Sequence, residues 1–278
     1  MEVEGQAQSE QAEETPTGAA RHRADGDRSV AEGNVSEALG HYRKAVRRES
    51  EDPATRVSLA DCYALREEGP QAVNQYRKAL KKNPKQAAPH VGLGEVYRRY
   101  GQHRAAILRF RKALELEPDN GFIWFKLADA LLTSEGPPEA LEPGLKAVEC
   151  DPSNAFYRYW VGEVLMDLDR PEDAAVRYAE AVELSPDDAG LHVRLAVAHA
   201  AAHRYRKSAA GFARAVQIED DNRAYITLLG DLYRVCGNQD LADEAHEQAG
   251  DLDAYDAETV RRARERMKLP LSPIADAE

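Results

Sequence analysis

The sequence is short of the residues that build cross-links, metal cages and membrane spans. Cys62, Cys150 and Cys236 are the only thiols in 278 residues. Their number is odd and no CxxC spacing occurs, so they read as small apolar side chains in a reducing compartment, not as a disulfide frame or a zinc site. No apolar run approaches the roughly 18 residues that a membrane span needs. The N-terminus, MEVEGQAQSEQAEETPTG, lacks the cationic-then-apolar layout of a secretory leader, and a cytoplasmic protein is expected. There is no glycine-rich phosphate loop, no GxSxG turn and no HExxH pair. His192, His199 and His203 fall near one helix face, but no carboxylate stands beside them and two occupy ordinary packing places. The sequence therefore predicts no catalytic residue, no metal and no cofactor.

What is present favours helix. The chain is 43% hydrophobic and 31% charged, rich in Ala, Glu, Leu, Arg and Lys, whose side chains lose little freedom in a helix. The formal net charge of −12 is unevenly spread. Residues 19–120 carry 20 Lys+Arg against 14 Asp+Glu, whereas residues 121–256 carry 12 against 26. The overall acidity repels polyanions, so nucleic acid is not expected as a partner.

A period of 34 residues runs through most of the chain. Pro84, Pro118, Pro152 and Pro186 keep it, as do Ala45, Ala79, Ala113, Ala147, Ala181, Ala215 and Ala249. A second alanine row, Ala38, Ala72, Ala106, Ala140, Ala174 and Ala242, has Ser208 in its one gap. Midway between these rows stand Tyr42, Tyr76, Phe110, Tyr178 and Phe212, and upstream lie Leu59-Ala60, Leu93-Gly94, Leu127-Ala128, Val161-Gly162, Leu195-Ala196 and Leu229-Gly230. Such a unit holds two helices of about 13 residues and two short turns. The small residue lets the two helices approach, the aromatic fills the space between them, and the proline ends the second helix. One unit cannot bury its apolar face alone, whereas stacked units make a continuous core.

These residues resemble the tetratricopeptide-repeat family. The resemblance implies an all-α fold, a right-handed α-solenoid of helix-turn-helix repeats. Seven repeats are expected over residues 19–256, starting near 19, 53, 87, 121, 155, 189 and 223. The first is degenerate, with Asp25 for the leucine and Ser50 for the proline. The fourth has Gly144, and the last His246, where the aromatic should be. Residues 257–269 read as a capping helix with the stripe Val260, Ala263 and Met267. Residues 1–18 read as a disordered acidic tail and 270–278 as a flexible one.

The family resemblance also implies a non-catalytic adaptor or scaffold whose first helices line a concave groove for a protein or peptide partner. One groove row is acidic: Asp27, Asp61, Glu95, Asp129, Glu163 and Asp231, with Val197 as the exception. It would favour a basic or amide-rich ligand, or else serve bonds within the stack. A second feature is aromatic: Phe122, Phe125 and Lys126 in the fourth repeat, Phe156, Tyr159 and Trp160 in the fifth. It reads as a ligand anchor or as packing. On the second helices Arg43, Lys44, Arg47 and Arg48 recur as Arg77, Lys78, Lys81 and Lys82, a basic surface expected on the convex side. The alternative function is a structural or assembly subunit, in which the basic and acidic halves pair copies head to tail into a homo-oligomer. Repeats that clamp the acidic tails of heat-shock chaperones carry lysine and asparagine, then asparagine, then lysine and arginine, where this chain has Val57 and Asp61, then Gly92, then Phe122 and Lys126. A chaperone-tail carboxylate clamp is therefore not expected.

Overall fold

The computed structural model describes residues 18–49 and 52–270. Of the expected tails, 1–18 and 270–278, Gly18 opens the first helix and Pro270 is described, while 1–17 and 271–278, like Ser50, lie outside the described residues. The described chain is all-α and divides into two compact units between Glu117 and Pro118. The first unit contains α1 (Gly18–Ala31), α2 (Val35–Arg48), α3 (Pro53–Leu65), α4 (Gly69–Lys82), α5 (Ala87–Arg99) and α6 (His103–Leu114). The second contains α7 (Gly121–Ser134), α8 (Pro137–Cys150), α9 (Ala155–Asp167), α10 (Pro171–Leu184), α11 (Ala189–Ala201), α12 (Tyr205–Ile218), α13 (Arg223–Val235), α14 (Gln239–Ala249) and α15 (Ala254–Met267). Odd helices up to α13 pair with the even helix that follows, and within each unit each hairpin packs on the next.

Two local signals fix where the helices begin and turn. Asp52, Asn120, Asn154, Asp188 and Asn222 share one place in the repeat, and each accepts a backbone N–H from the first turn of its odd helix. Gln86 holds that place before α5 and makes no such bond. Between the helices of a hairpin the backbone turns left-handed at Gly33, Glu67, Gly101, Asp169, His203 and Gly237, again one period apart. The fourth hairpin departs: α7 runs on to Ser134, and the positive φ falls at Gly136, just before Pro137.

The alanine rows are where backbones meet. Ala38, Ala72, Ala106, Ala140, Ala174, Ser208 and Ala242 are each 0% exposed. The aromatic of each second helix lies over the small residue of the first: a Cβ on Gly94 would come within 2.5 Å of the Phe110 ring. The fourth repeat lacks that aromatic, and the neighbouring repeat supplies one. Trp160 of α9 is buried, and a Cβ on Gly144 would lie 2.7 Å from its Cζ3.

The C-terminal helix begins three residues before the expected start, because Asp253 accepts the Asp256 N–H as its N-cap. Its stripe does pack: Val260 and Met267 are buried, with Ala263 against the same cluster. α15 lies across α13 of the last repeat and α11, with ion pairs reaching α9.

Candidate functional site

The acidic row is largely used inside the fold. Tyr42 donates its hydroxyl to Asp27 (2.6 Å), Tyr76 to Asp61, and Tyr178 to Glu163 (2.5 Å). Each tyrosine is the midway aromatic of its own repeat, fifteen residues after the acid. Where that aromatic has no hydroxyl, the acid changes partner or disappears. Glu95, opposite Phe110, lies 3.4 Å from Arg98; opposite Phe212 the row has Val197. Asp231, opposite His246, is enclosed by His246 (3.3 Å), Arg234 (2.9 Å) and Arg264 (2.7 Å). Burial raises the pKa of Asp61 above the ordinary aspartate value even though Tyr76 donates to it. Burial and the adjacent Asp61 charge push the Cys62 thiol up to about 11, which keeps it protonated and unreactive. Asp27, Asp61, Glu95, Glu163 and Asp231 thus each hold a partner within the chain, although only Asp231 is buried and Asp27 and Asp61 are exposed.

The aromatic cluster divides into a packed part and an exposed part. Phe125 stacks on Tyr157 at 5.5 Å and meets Trp160 and Phe156 edge-on at 5.7 and 5.2 Å. Trp160 and Tyr157 are buried, and Trp160 serves the gap at Gly144, so it packs between helices instead of facing a ligand. Phe122 and Phe156, one period apart, are each 49% exposed. Lys126 Nζ lies 5.1 Å from the Phe122 ring centre and 5.8 Å from that of Phe125. The Arg194 guanidinium lies 5.9 Å from the Tyr159 ring centre. Between α9 and α11 is a cleft of about 500 Å³ lined by Phe156, Tyr159, Gly190, Leu191 and Arg194 among others. Asp129 is half-buried on α7, one helical turn beyond Lys126.

Sequence reasoning missed Arg194 and Gly190. The signal was available: Arg194 holds the repeat position of Lys126 and Trp160, and Gly190 that of Phe122 and Phe156. Gly190 is what leaves the cleft open, because no large side chain stands there. The strip therefore alternates aromatic faces with cations along α7, α9 and α11.

The eight basic residues of α2 and α4 are all exposed. Two also tie repeats together: Arg43 donates to the Tyr63 hydroxyl at 3.0 Å and Arg77 to that of Tyr97 at 3.1 Å. His192, His199 and His203 do not converge. His192 bonds the Pro186 carbonyl and His203 the Tyr205 hydroxyl, while burial, Lys207 and Arg204 lower the pKa of His199. Among the described residues His22, Asp25 and His41 bring ligand atoms within 4.8 Å of one another. Burial and the nearby charges of Arg48 and Lys44 lower the pKa of His22, and those same charges oppose a cation.

Stacked helical hairpins with tyrosine-to-carboxylate ties define a helical-repeat protein. Residues 29–93, 91–155 and 165–232 match the tetratricopeptide repeat, and the chain belongs to that family, a family of protein-interaction scaffolds. No curated protein matches it in sequence. Among solved structures it is similar to MamA (residue 41 to the end) of Desulfovibrio magneticus, at 23% identity over 62% of this chain and 97% of that one, TM-score 0.56. YrrB, described as a TPR protein with an unusual peptide-binding site, is 23% identical over 74% of this chain and 97% of its own, TM-score 0.55. The C-terminal part of a TPR repeat-containing protein from Cytophaga hutchinsonii gives TM-score 0.69 at 14% identity, covering 85% of this chain and 98% of that one. Among the described residues no helix is long and apolar enough to cross a membrane.

Proposed function

We propose that this chain is a non-catalytic, cytoplasmic adaptor that holds an extended partner segment against α7, α9 and α11. Phe122 and Phe156 are the apolar contacts, and Lys126, Tyr159 and Arg194 orient the polar groups of the ligand. The observation that carries this reading is the pair of half-exposed phenylalanines at one repeat position, bordered by cations and opening on the cleft beside Gly190. Aromatic anchors carry much of the binding energy at interfaces. The cations favour a segment rich in acidic side chains and backbone carbonyls, the reverse of the ligand that the acidic row suggested. The peptide-binding description of YrrB agrees with this kind of use. The cytoplasmic placement rests on the cysteine usage and on the shielded Cys62 thiol.

Affinity purification with quantitative mass spectrometry tests it, comparing the unaltered chain with Phe122→Ala/Phe156→Ala. Both side chains are half outside the core, so the melting temperature should move little while the specifically recovered partner falls at least about tenfold, the ordinary effect of losing a hot spot. Undiminished recovery by the folded variant rules the strip out as the binding surface.

A further inference from the structure

α15 meets the first helices of the last three repeats through a matched series of charged and apolar groups. On the receiving side the 34-residue row reads Glu163, Val197, Asp231: acid, apolar, acid. On α15, Arg266 Nη1 lies 2.9 Å from Glu163 Oε2 and Arg264 Nε 2.7 Å from Asp231 Oδ2. Val260 and Met267 are buried in the same apolar cluster as Val197. Two further pairs extend the match along and just beyond α9, Arg266 to Asp167 at 3.5 Å and Lys268 to Asp169 at 2.7 Å. Glu163 shows the division of labour: its Oε1 takes the Tyr178 hydroxyl of its own hairpin, and its Oε2 takes the arginine of α15.

The attachment is small in extent. Two side chains of α15 are buried, and the exposed outer pair, Lys268 and Asp169, is screened by salt, whereas Arg264 reaches an Asp231 side chain that is 2% exposed and is screened less. Arg261 and Arg262 do not take part, since Glu258 holds both within the helix. A helix of 14 residues is marginal by itself in water, so α15 depends on this seat for its order. Its tether is short: Gly250, at φ 61, ends α14 and three residues lead to α15.

We infer that the face formed by α9, α11 and α13 is a receptor for an amphipathic helix of a partner protein. That helix carries basic side chains on either side of a buried apolar one, and α15 is the resident occupant that it exchanges with. The ligand chemistry is written in α15 itself: Arg264, Arg266 and Lys268 around Met267. Because the resident is tethered, it competes at an effective concentration on the order of millimolar, and an incoming helix binds with its intrinsic affinity reduced by the fraction of time the seat is vacant. The seat borders the aromatic strip at one point, where Arg194 Nε lies 3.7 Å from Glu163 Oε1, while Phe122 and Phe156 of the strip lie on α7 and on the first turn of α9.

The probe is a fluorescein-labelled peptide with the chain's own sequence from Asp253 to Leu269, read by fluorescence anisotropy against the full-length chain and against full-length Arg264→Glu/Arg266→Glu. The variant, whose own helix is repelled by Glu163 and Asp231, should bind the peptide at least about tenfold more tightly than the unaltered chain. A peptide bearing the same two glutamates should bind neither. Equal or absent binding of the unaltered peptide to a folded variant overturns the proposal. Hydrogen exchange on the unaltered chain decides the matter without any substitution. Excess peptide should speed exchange of the α15 amides at least about threefold, with α13 unchanged; no acceleration overturns the exchange.

Discussion

Asp61 and Tyr76 stand fifteen residues apart and share a part-buried hydrogen bond, the tie that Asp27 and Tyr42 and Glu163 and Tyr178 make in their own hairpins. Tyr76→Phe removes the hydroxyl donor while the exposed Asp61 carboxylate keeps access to water, so it should cost about 0.5–1.5 kcal/mol. Asp61→Val/Tyr76→Phe copies the Val197 and Phe212 pairing of the sixth repeat, so urea denaturation should show the double variant losing about 1 kcal/mol less than the two single losses together. Simple additivity would show that the tie has no energetic coupling. Asp52 supplies a pH-dependent contribution of the opposite sign to that of Asp61. Burial tends to raise its pKa, but the Thr55 hydroxyl and N–H, the Ala54 N–H and the Arg23 charge outweigh it and set the pKa below the ordinary value. Its folded-state pKa is depressed, so its stabilisation is present above about pH 4 and is lost as pH falls through the folded value. Asp61, with a raised pKa, favours the folded chain less as pH rises above the ordinary aspartate value. Asp52→Asn keeps the cap acceptor, and its melting temperature should therefore fall less steeply than that of the unaltered chain between about pH 4 and pH 2. Parallel acid limbs would show that Asp52 contributes nothing there.

At the scale of elements, the fourth and fifth repeats share one packing solution. Gly144 and Pro143 weaken α8 from within, since a proline inside a helix lacks the N–H and a glycine lacks packing atoms. Trp160 fills the resulting space from the next hairpin. Gly144→Ala, normally favourable in a helix, should here destabilise by about 1–3 kcal/mol through overpacking against the indole. Adding Trp160→Leu should relieve most of that clash, and thermal melts of the single and double variants check it. A stabilised Gly144→Ala would show that the indole is free to move away. The aromatic word AFYRYW was legible in the sequence as a cluster, but its division into packed and exposed members was not. Trp160 and Phe156 are four residues apart on the same helix, and only the empty place at Gly144 decides which one is drawn inward.

For the molecule as a whole, the charge split invites head-to-tail pairing of copies, but α15 alters that expectation. Arg264, Arg266 and Lys268 already answer Asp231, Glu163, Asp167 and Asp169 within the chain. The acidic half thus presents less bare charge to the basic ridge of another copy. Sedimentation equilibrium should give the monomer mass both at low salt and at about 0.5 M, where the Debye length falls to a few ångströms. A dimer that salt dissolves would restore the assembly reading.

The sequence by itself determined the period, the repeat family and the all-α architecture. Alanine rows, turn residues and caps act over one or two helical turns, and their 34-residue phase is unbroken. The tertiary structure decided which polar groups are still available to a partner. The acidic row looks uniform along the chain, yet Asp27, Asp61 and Glu163 take a tyrosine of the facing helix, Glu95 the Arg98 of its own helix, and Asp231 a histidine and two arginines. The C-terminal stripe announced an amphipathic helix, but the face that receives it depended on Val197 falling between Glu163 and Asp231. That juxtaposition exists only once three first helices stand side by side.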